Sequence, residues 1–383
     1  MRVQGIISSV KIPIYNSGIK DKQKYLSQNK NISFAGESGL ITPPISTEFL
    51  NIQETPKKIW QTIKNSENIV VFTHTFPDGD AGGSGLALTD VLRREFPRKN
   101  IQFYTPNGLP SFLNGTPNIK LASKIPPQGK IDLAIAVDAE KANLDGVSYF
   151  EKATKKIIFD HHKRPLLNNI SLQNPKAASA TIVLYQQLFK PLGIKITPQV
   201  AENIVTGIIT DTGRLRHSED GDLSLKTVEE LLEKFGKWFS VDSILEKFKL
   251  NEFISPELEQ LQENLIKNSL STKSKNNLPV NYSSVSQNLI KQFKVKDSIV
   301  DIKSALNLSI HNLIPERGIG IIFWELGENE TKVSMRSNIA DLLPFVKQFK
   351  GGGGHSNSAG FMLQKSLSET LTMVIDIIKK YKF

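Results

Sequence analysis

Three short apolar runs, each ending at a carboxylate or an imidazole, constrain this chain more than any other feature. Asn68-Ile69-Val70-Val71-Phe72-Thr73 runs into His74, Leu133-Ala134-Ile135-Ala136-Val137 into Asp138, and Ile157-Ile158-Phe159 into Asp160, His161 and His162. Short runs this apolar, rich in β-branched residues, read as strands buried on both faces. A helix over residues 56–63 is expected before them, because Thr55-Pro56 is an N-cap followed by proline at the first helical position. Another helix opens at Gly83-Ser84-Gly85 and reaches about residue 95. Residues 101–104 and 156–159 read as strands, and 178–189, 198–209 and 224–235 as helices. Strands alternating with helices predict an α/β fold around a mostly parallel sheet. In such open sheets ligands gather at the carboxyl ends of the strands, where all three runs place ionisable groups.

Each segment is weak alone. His74, Asp78 and Asp80 share a glycine-rich stretch and are expected on one loop. An isolated HxxxDxD is more often an Asp/Gly turn with a capping Asp. Asp138 at a strand end is commonly a cap, and Asp160-His161-His162 alone could be a polar loop. A fourth segment, Gly207-Ile208-Ile209-Thr210-Asp211, puts a carboxylate where a helix gives way to a loop. Together they bring acids and histidines to what should be one rim of one sheet. Burying that many carboxylates without cations would be prohibitive. Divalent ions are the economical explanation, with Mn²⁺ or Mg²⁺ favoured and Zn²⁺, Co²⁺ and Fe²⁺ as competitors. The chain has no cysteine, which excludes disulfides, thiolate-held metal and thiol nucleophiles.

The 383 residues fit two domains. Residues 1–54 lack periodicity and are read as an extension, disordered or loosely docked. Residues 55–240 form the first domain and 241–275 a helical linker. Residues 276–383 form a smaller α/β domain, with strands over 319–324 and 332–336 and helices over 339–349 and 367–380. The net charge of +10 is compatible with an anionic ligand and decides nothing further. No apolar run reaches about 18 residues and no secretory leader is visible, so a cytoplasmic protein is expected. Organelle targeting by the acid-poor N-terminus is the minor alternative. No aromatic-basic stripe of the RNA-recognition type is present.

At these residues the chain resembles the DHH phosphoesterase family, named for the Asp-His-His found here as Asp160-His161-His162. All four family motifs occur in order. The C-terminal part is similar to the type-1 DHH-associated domain through Val333-Ser334-Met335-Arg336-Ser337-Asn338, Gly351-Gly352-Gly353-Gly354-His355 and Ser358-Ala359-Gly360-Phe361. The short layout resembles the oligoribonuclease (nanoRNase) and 3′-phosphoadenosine 5′-phosphate phosphatase branch. Two departures stand out: Ala139 follows Asp138 where a threonine is common, and Asn143-Leu144 stands where an arginine is common.

The resemblance implies an active-site cleft between the parallel-sheet domain and the smaller one. It implies one metal held by His74, Asp78 and Asp138, and another by Asp80, Asp138, His161 and Asp211, with Asp138 bridging. His162 would face the substrate phosphate and Asp160 would fix a histidine ring. Arg336, Ser337, Gly352, Gly353, Gly354 and His355 would bind substrate, the glycines as an anion-binding backbone nest. The implied reaction is hydrolysis of short oligonucleotides or 3′-phosphoadenosine 5′-phosphate, by in-line attack of a hydroxide shared by two ions. Cyclic or linear dinucleotide hydrolysis is the rival enzyme reading, and a non-catalytic nucleotide-binding protein the other. A homodimer is compatible.

Overall fold

A computed structural model describes residues 55–139, 144–162, 170–215, 222–251 and 255–383, all within the compact unit Glu48–Phe383. The expected extension over residues 1–54 and the position of Asn143 lie outside the described residues.

The expected α/β architecture is present. The first sheet holds β1 (Asn68–Phe72), β2 (Asn100–Tyr104), β3 (Ala122–Ser123), β4 (Leu133–Val137), β5 (Lys155–Asp160) and β6 (Ile170–Gln173). Their order is β3-β2-β1-β4-β5-β6, every pair parallel. Side chains alternate across this sheet. Leu133, Ile135 and Val137 of β4 join a large core with the helices Gly79–Glu95 and Pro198–Asp211, while Ala134 and Ala136 meet Phe72, Tyr104 and Phe150 on the opposite face. From β1 the chain winds outward to β2 and then returns to β4 on β1's other side, so β1 and β4 flank the switch point where such sheets open a crevice.

The helix Gly79–Glu95 begins four residues earlier than expected, because the Asp78 side chain caps it by accepting from the Ala81 N–H at 3.2 Å. Asp80 therefore stands in the first helical turn rather than on the loop with His74 and Asp78. This helix crosses Pro198–Asp211 closely: a Cβ at Gly83 would lie 2.5 Å from the Asn203 carbonyl oxygen, and one at Gly207 would lie 2.6 Å from Asp80 Oδ1. Gly83 and Gly207 are what lets Asp80 sit deep against the neighbouring helix, while Gly85 makes room for the Phe103 ring of β2. The segment 178–189 is helical from Ala180, and from Val183 to Phe189 it continues as a π-helix.

The connecting stretch contains the helices Val241–Asn251 and Pro256–Lys267. A second sheet then forms from β7 (Leu270–Lys273), β8 (Pro279–Val285), β9 (Ile319–Gly327), β10 (Glu330–Ser337), β11 (Gly353–Gly354) and β12 (Ser358–Leu363). Its order is β11-β12-β10-β9-β8-β7, antiparallel except for β8 with β9. The helix Leu367–Lys380 packs on one face and Ile299–Leu313 on the other. The helix expected over 339–349 is reduced to Leu343–Val346. The Ser337 hydroxyl accepts from the N–H groups of Ile339 and Ala340 and holds them in a turn, and Pro344 stands at the start of the short helix.

One residue of the first half belongs to the core of the second. Phe76, in the loop after β1, is buried among Leu258, Ile302, Leu306, Ile322 and Trp324, its ring 5.7 Å from that of Trp324. Two polar contacts flank this peg: Lys303 Nζ donates to the Phe76 carbonyl at 2.7 Å, and the Ser111 N–H donates to Asp301 Oδ1 at 2.7 Å. No helix among the described residues is long and apolar enough to cross a membrane.

Candidate active site

The topology delivers the strand-end residues to one place. β1, β4 and β5 are neighbours, so His74, Asp138 and Asp160-His161-His162 emerge side by side at their carboxyl ends. The two packed helices add Asp80 from a first turn and Asp211 from a last residue. All eight acids and histidines expected from the sequence around the metals come together.

Asp138 stands between two groups. Its Oδ2 lies 3.5 Å from His74 Nε2, which is also 3.6 Å from Asp78 Oδ2. Its Oδ1 lies 3.3 Å from His161 Nε2, which is also 3.2 Å from Asp211 Oδ2 and 3.9 Å from Asp80 Oδ2. In each of the sets His74–Asp78–Asp138 and Asp80–His161–Asp211, one ligand atom per residue falls within 4.8 Å of the others. Asp138 is buried with a φ of 51°, a left-handed backbone that Asp adopts more readily than most residues, at some cost in strain.

The electrostatics are those of crowded like charges. Burial and the neighbouring Asp138 push the Asp80 carboxyl up to about 7, against the pull of His161 and the N–H groups of Ala180 and Thr181. Burial also raises Asp211 well above the usual carboxylate range, against the pull of His161. Burial would raise Asp138 too, but the adjoining His161 and His74 rings hold it well below its ordinary value. Asp78 goes down to about 2, since His74 outweighs burial. His161 is raised well above an ordinary imidazole: burial works against this, and the carboxylates of Asp138, Asp211 and Asp80 overcome it.

The donor set fits divalent cations. Asp138 Oδ1 and His161 Nε2 are buried and face each other without a hydrogen-bond partner. His161 Nδ1 lies 3.3 Å from the Ala177 carbonyl, which can only accept, so Nδ1 keeps its proton and Nε2 is the atom that would give up its own to a divalent ion held among the carboxylates.

Asp160 does not enter either set. Its Oδ1 accepts from His162 Nδ1 at 2.9 Å and from the backbone N–H groups of His161 and His162. It thus aims the His162 ring. From the second sheet, His355 reaches over the same place, its ring 5.3 Å from His161 and 5.0 Å from His162. Burial, reinforced by His162 and His161, drives its pKa down to about 3 and keeps the ring neutral. Gly354 makes this reach possible: its φ is 126° and a Cβ would lie 2.4 Å from the Ser358 carbonyl oxygen.

The structure places Ser337 and the glycine run as follows. Ser337 is buried on the core face of β10, opposite Arg336, and its hydroxyl bonds to Gly318, Ile339 and Ala340. The glycine run is hydrogen-bonded in place: the Gly352 N–H donates to the Phe349 carbonyl at 3.0 Å, and Gly353 and Gly354 pair with Gly360 and Ala359 as β11. Its principal work is to fold the tight hairpin that carries His355.

Reading the sequence missed Lys303 and Lys332. Burial lowers the pKa of both, that of Lys332 to about 7 with Lys303 and Arg336 adding to the effect. Arg336 comes down to about 10 by burial and stays a cation at neutral pH. The alternation of β10 could have exposed Lys332, which shares a strand face with Arg336. Lys303 carried no signal.

Comparison with known proteins agrees with this geometry. Residues 68–208 match the model described as the DHH family, N-terminal domain. The chain is 28% identical over 207 residues to the bifunctional oligoribonuclease and PAP phosphatase NrnA of Bacillus subtilis, covering 51% of this chain and 63% of that protein. It is 32% identical over 170 residues to the protein of that name from Thermus thermophilus, covering 43% and 49%. These two matches span less than two thirds of the relatives' lengths. The one from Mycoplasma genitalium is 24% identical over 327 residues, covering 83% and 95%. In fold, the chain is similar to the crystal structure of an exopolyphosphatase-related protein from Bacteroides fragilis, with a TM-score of 0.64 at 22% identity, covering 85% and 96%. The stretch that supplies His74, Asp78, Asp80, Asp138 and the Asp160-His161-His162 signature thus lies within the part of the chain that matches the DHH family, N-terminal domain.

Proposed function

We propose that this chain is a phosphoesterase that hydrolyses short oligonucleotides, 3′-phosphoadenosine 5′-phosphate, or both, with divalent ions at the acid centre. The observation that carries the reading is the unpartnered pair Asp138 Oδ1 and His161 Nε2 at the junction of two ligand sets. His74, Asp78 and Asp138 would hold one ion, and Asp80, Asp138, His161 and Asp211 the other. Two such ions, Mn²⁺ by preference for this oxygen-rich set, lower the pKa of water and neutralise the reacting phosphate.

The chain's own residues supply orientation and proton handling. Asp160 holds the Nδ1 side of His162, which leaves Nε2 as the atom that passes a proton to the departing oxygen. Neutral His355 contributes a hydrogen bond to the reacting phosphate and limits water from the second half's side. Arg336 pairs with phosphate through its planar fork. In this reading residues 55–240 perform the chemistry, 241–275 connect, and 276–383 grip the substrate. Because His355 lies so near His161 and His162, the space over the centre suits a short substrate better than a long strand.

A substrate panel with Mn²⁺ tests this: 3′-phosphoadenosine 5′-phosphate, di- to pentanucleotides, a 20-mer and cyclic dinucleotides. Turnover of the first two classes is expected. Strong activity on the 20-mer alone overturns the reading. Arg336→Ala and His355→Ala are each expected to raise KM about tenfold or more, the scale of a lost charge-assisted or buried hydrogen bond. Unchanged affinity for a dinucleotide would remove them from the grip.

A further inference from the structure

We propose that Lys303 and Lys332 form a second anion subsite, which holds a phosphate of the substrate other than the one that reacts. The inference rests on the proposed function and narrows it to substrates that carry at least two phosphates.

Three basic side chains belong to one face of the second sheet and the helix packed on it. Lys332, Ser334 and Arg336 alternate along β10 with buried Val333 and Met335, so they share the partly open face. That face is the one on which Ile322 and Trp324 of β9 meet the helix Ile299–Leu313, the helix that carries Lys303. Phe76 lies between the two lysines. Lys332 Nζ stands 5.0 Å over its ring, and Lys303 Nζ donates to its carbonyl. Both ammonium groups are therefore fixed rather than waving in solvent, and each keeps N–H donors to spare, since an ammonium has three.

None of the three has an acid in direct contact, and Lys332 has none acting on it even at longer range. Among the described residues, no carboxylate oxygen lies within 4.0 Å of the nitrogens of Lys303, Lys332 or Arg336. Lys303 interacts at longer range with Asp78, Asp138 and Asp211, and Arg336 with Asp78, whereas the charges acting on Lys332 are those of Lys303 and Arg336, which repel it. Confining like charges costs free energy unless an anion joins them. The interactions are directional as well: acids of the centre act on Lys303 and Arg336, and none acts on Lys332. A nucleotide whose reacting phosphate lies at the acids would extend its next phosphate toward the lysines.

A bland alternative is that Lys332 merely covers Phe76 with its stem, as long side chains often cover apolar surface. That role needs no charge, so the two readings separate. Lys332→Met keeps an apolar stem over Phe76 and removes the ammonium, Lys303→Met does the same on the helix, and Lys332→Arg restores a cation. The readout is the ratio of kcat/KM for 5′-phosphorylated diadenylate to that for diadenylate without the terminal phosphate, with Mn²⁺. A ratio within one protein is insensitive to the fraction that folds. The wild type should prefer the phosphorylated dinucleotide about tenfold or more, the scale of charge-assisted phosphate contacts. The preference should collapse in Lys332→Met, weaken in Lys303→Met and return in Lys332→Arg. A wild type that hydrolyses both dinucleotides equally, or a preference that survives both Met variants, overturns the subsite and leaves the phosphoesterase reading standing. A wild type that hydrolyses neither dinucleotide nor 3′-phosphoadenosine 5′-phosphate overturns both.

Discussion

Asp138→Asn is expected to lower kcat by about a thousandfold, the upper range for removing one group that stabilises charge at a reacting centre, while the fold survives. Asp138 is the residue whose two oxygens face the two ligand sets, Oδ2 toward His74 and Oδ1 toward His161. Asn keeps the shape and tolerates the left-handed backbone at φ 51°, so the change removes charge with little strain. Because His161 and His74 hold the Asp138 carboxyl well below its ordinary value, its charge favours the metal-free fold at neutral pH, and without metal the variant should melt somewhat lower than the wild type. Elemental analysis of the purified protein should show fewer bound divalent ions than in the wild type. Retained Mn²⁺-dependent turnover with an unchanged metal content would take Asp138 out of the centre and with it the present assignment of both sets.

Phe76→Ala should cost about 3–5 kcal/mol, the range for deleting a buried aromatic ring. The effect should be felt far from the mutated loop. Phe76 follows His74 and precedes Asp78 in the chain, yet its ring fills the core beneath Trp324 and the helix Ile299–Leu313. Its loss leaves a cavity in the second half and frees the loop that carries two of the acid-centre residues. Thermal unfolding should fall by several degrees, by the usual relation for domains of this size, and KM for a dinucleotide should rise as His355 and Arg336 lose their fixed distance from the acids. Phe76→Leu should recover most of the stability because it refills most of the volume. A melting temperature unchanged in Phe76→Ala would show that the ring does not peg the halves together.

The parallel sheet and its rim of acids and histidines were legible in the sequence for a definite reason. Strands buried on both faces need uninterrupted apolar runs, so a carboxylate at the end of Leu133–Val137 or an Asp-His-His after Ile157-Ile158-Phe159 stands out against them. Helix starts were harder. The glycines after Asp80 looked like a helix opening, whereas Asp78 caps the helix four residues earlier, Gly83 serves a close helix crossing and Gly85 makes room for Phe103. Periodicity reports which face is apolar; it says nothing of how near a second helix comes. The same limit applies to residues 339–349, whose apolar spacing suits a helix but whose backbone is held in a turn by the Ser337 hydroxyl.

The sequence alone therefore determined which side chains could do chemistry and that they would gather on one sheet edge, because strand order in an α/β sheet places every strand end on one rim. It also made Arg336 and His355 candidates through their neighbours. Only the tertiary structure decided which oxygen of Asp138 faces which set, that Asp160 aims His162, and that Ser337 is buried on the core face of β10. It alone placed Lys303 and Lys332 on either side of Phe76. This last placement depends on contacts between residues more than two hundred positions apart. No local pattern encodes such a contact, since each partner's own segment satisfies the ordinary rules of a helix or a strand without it.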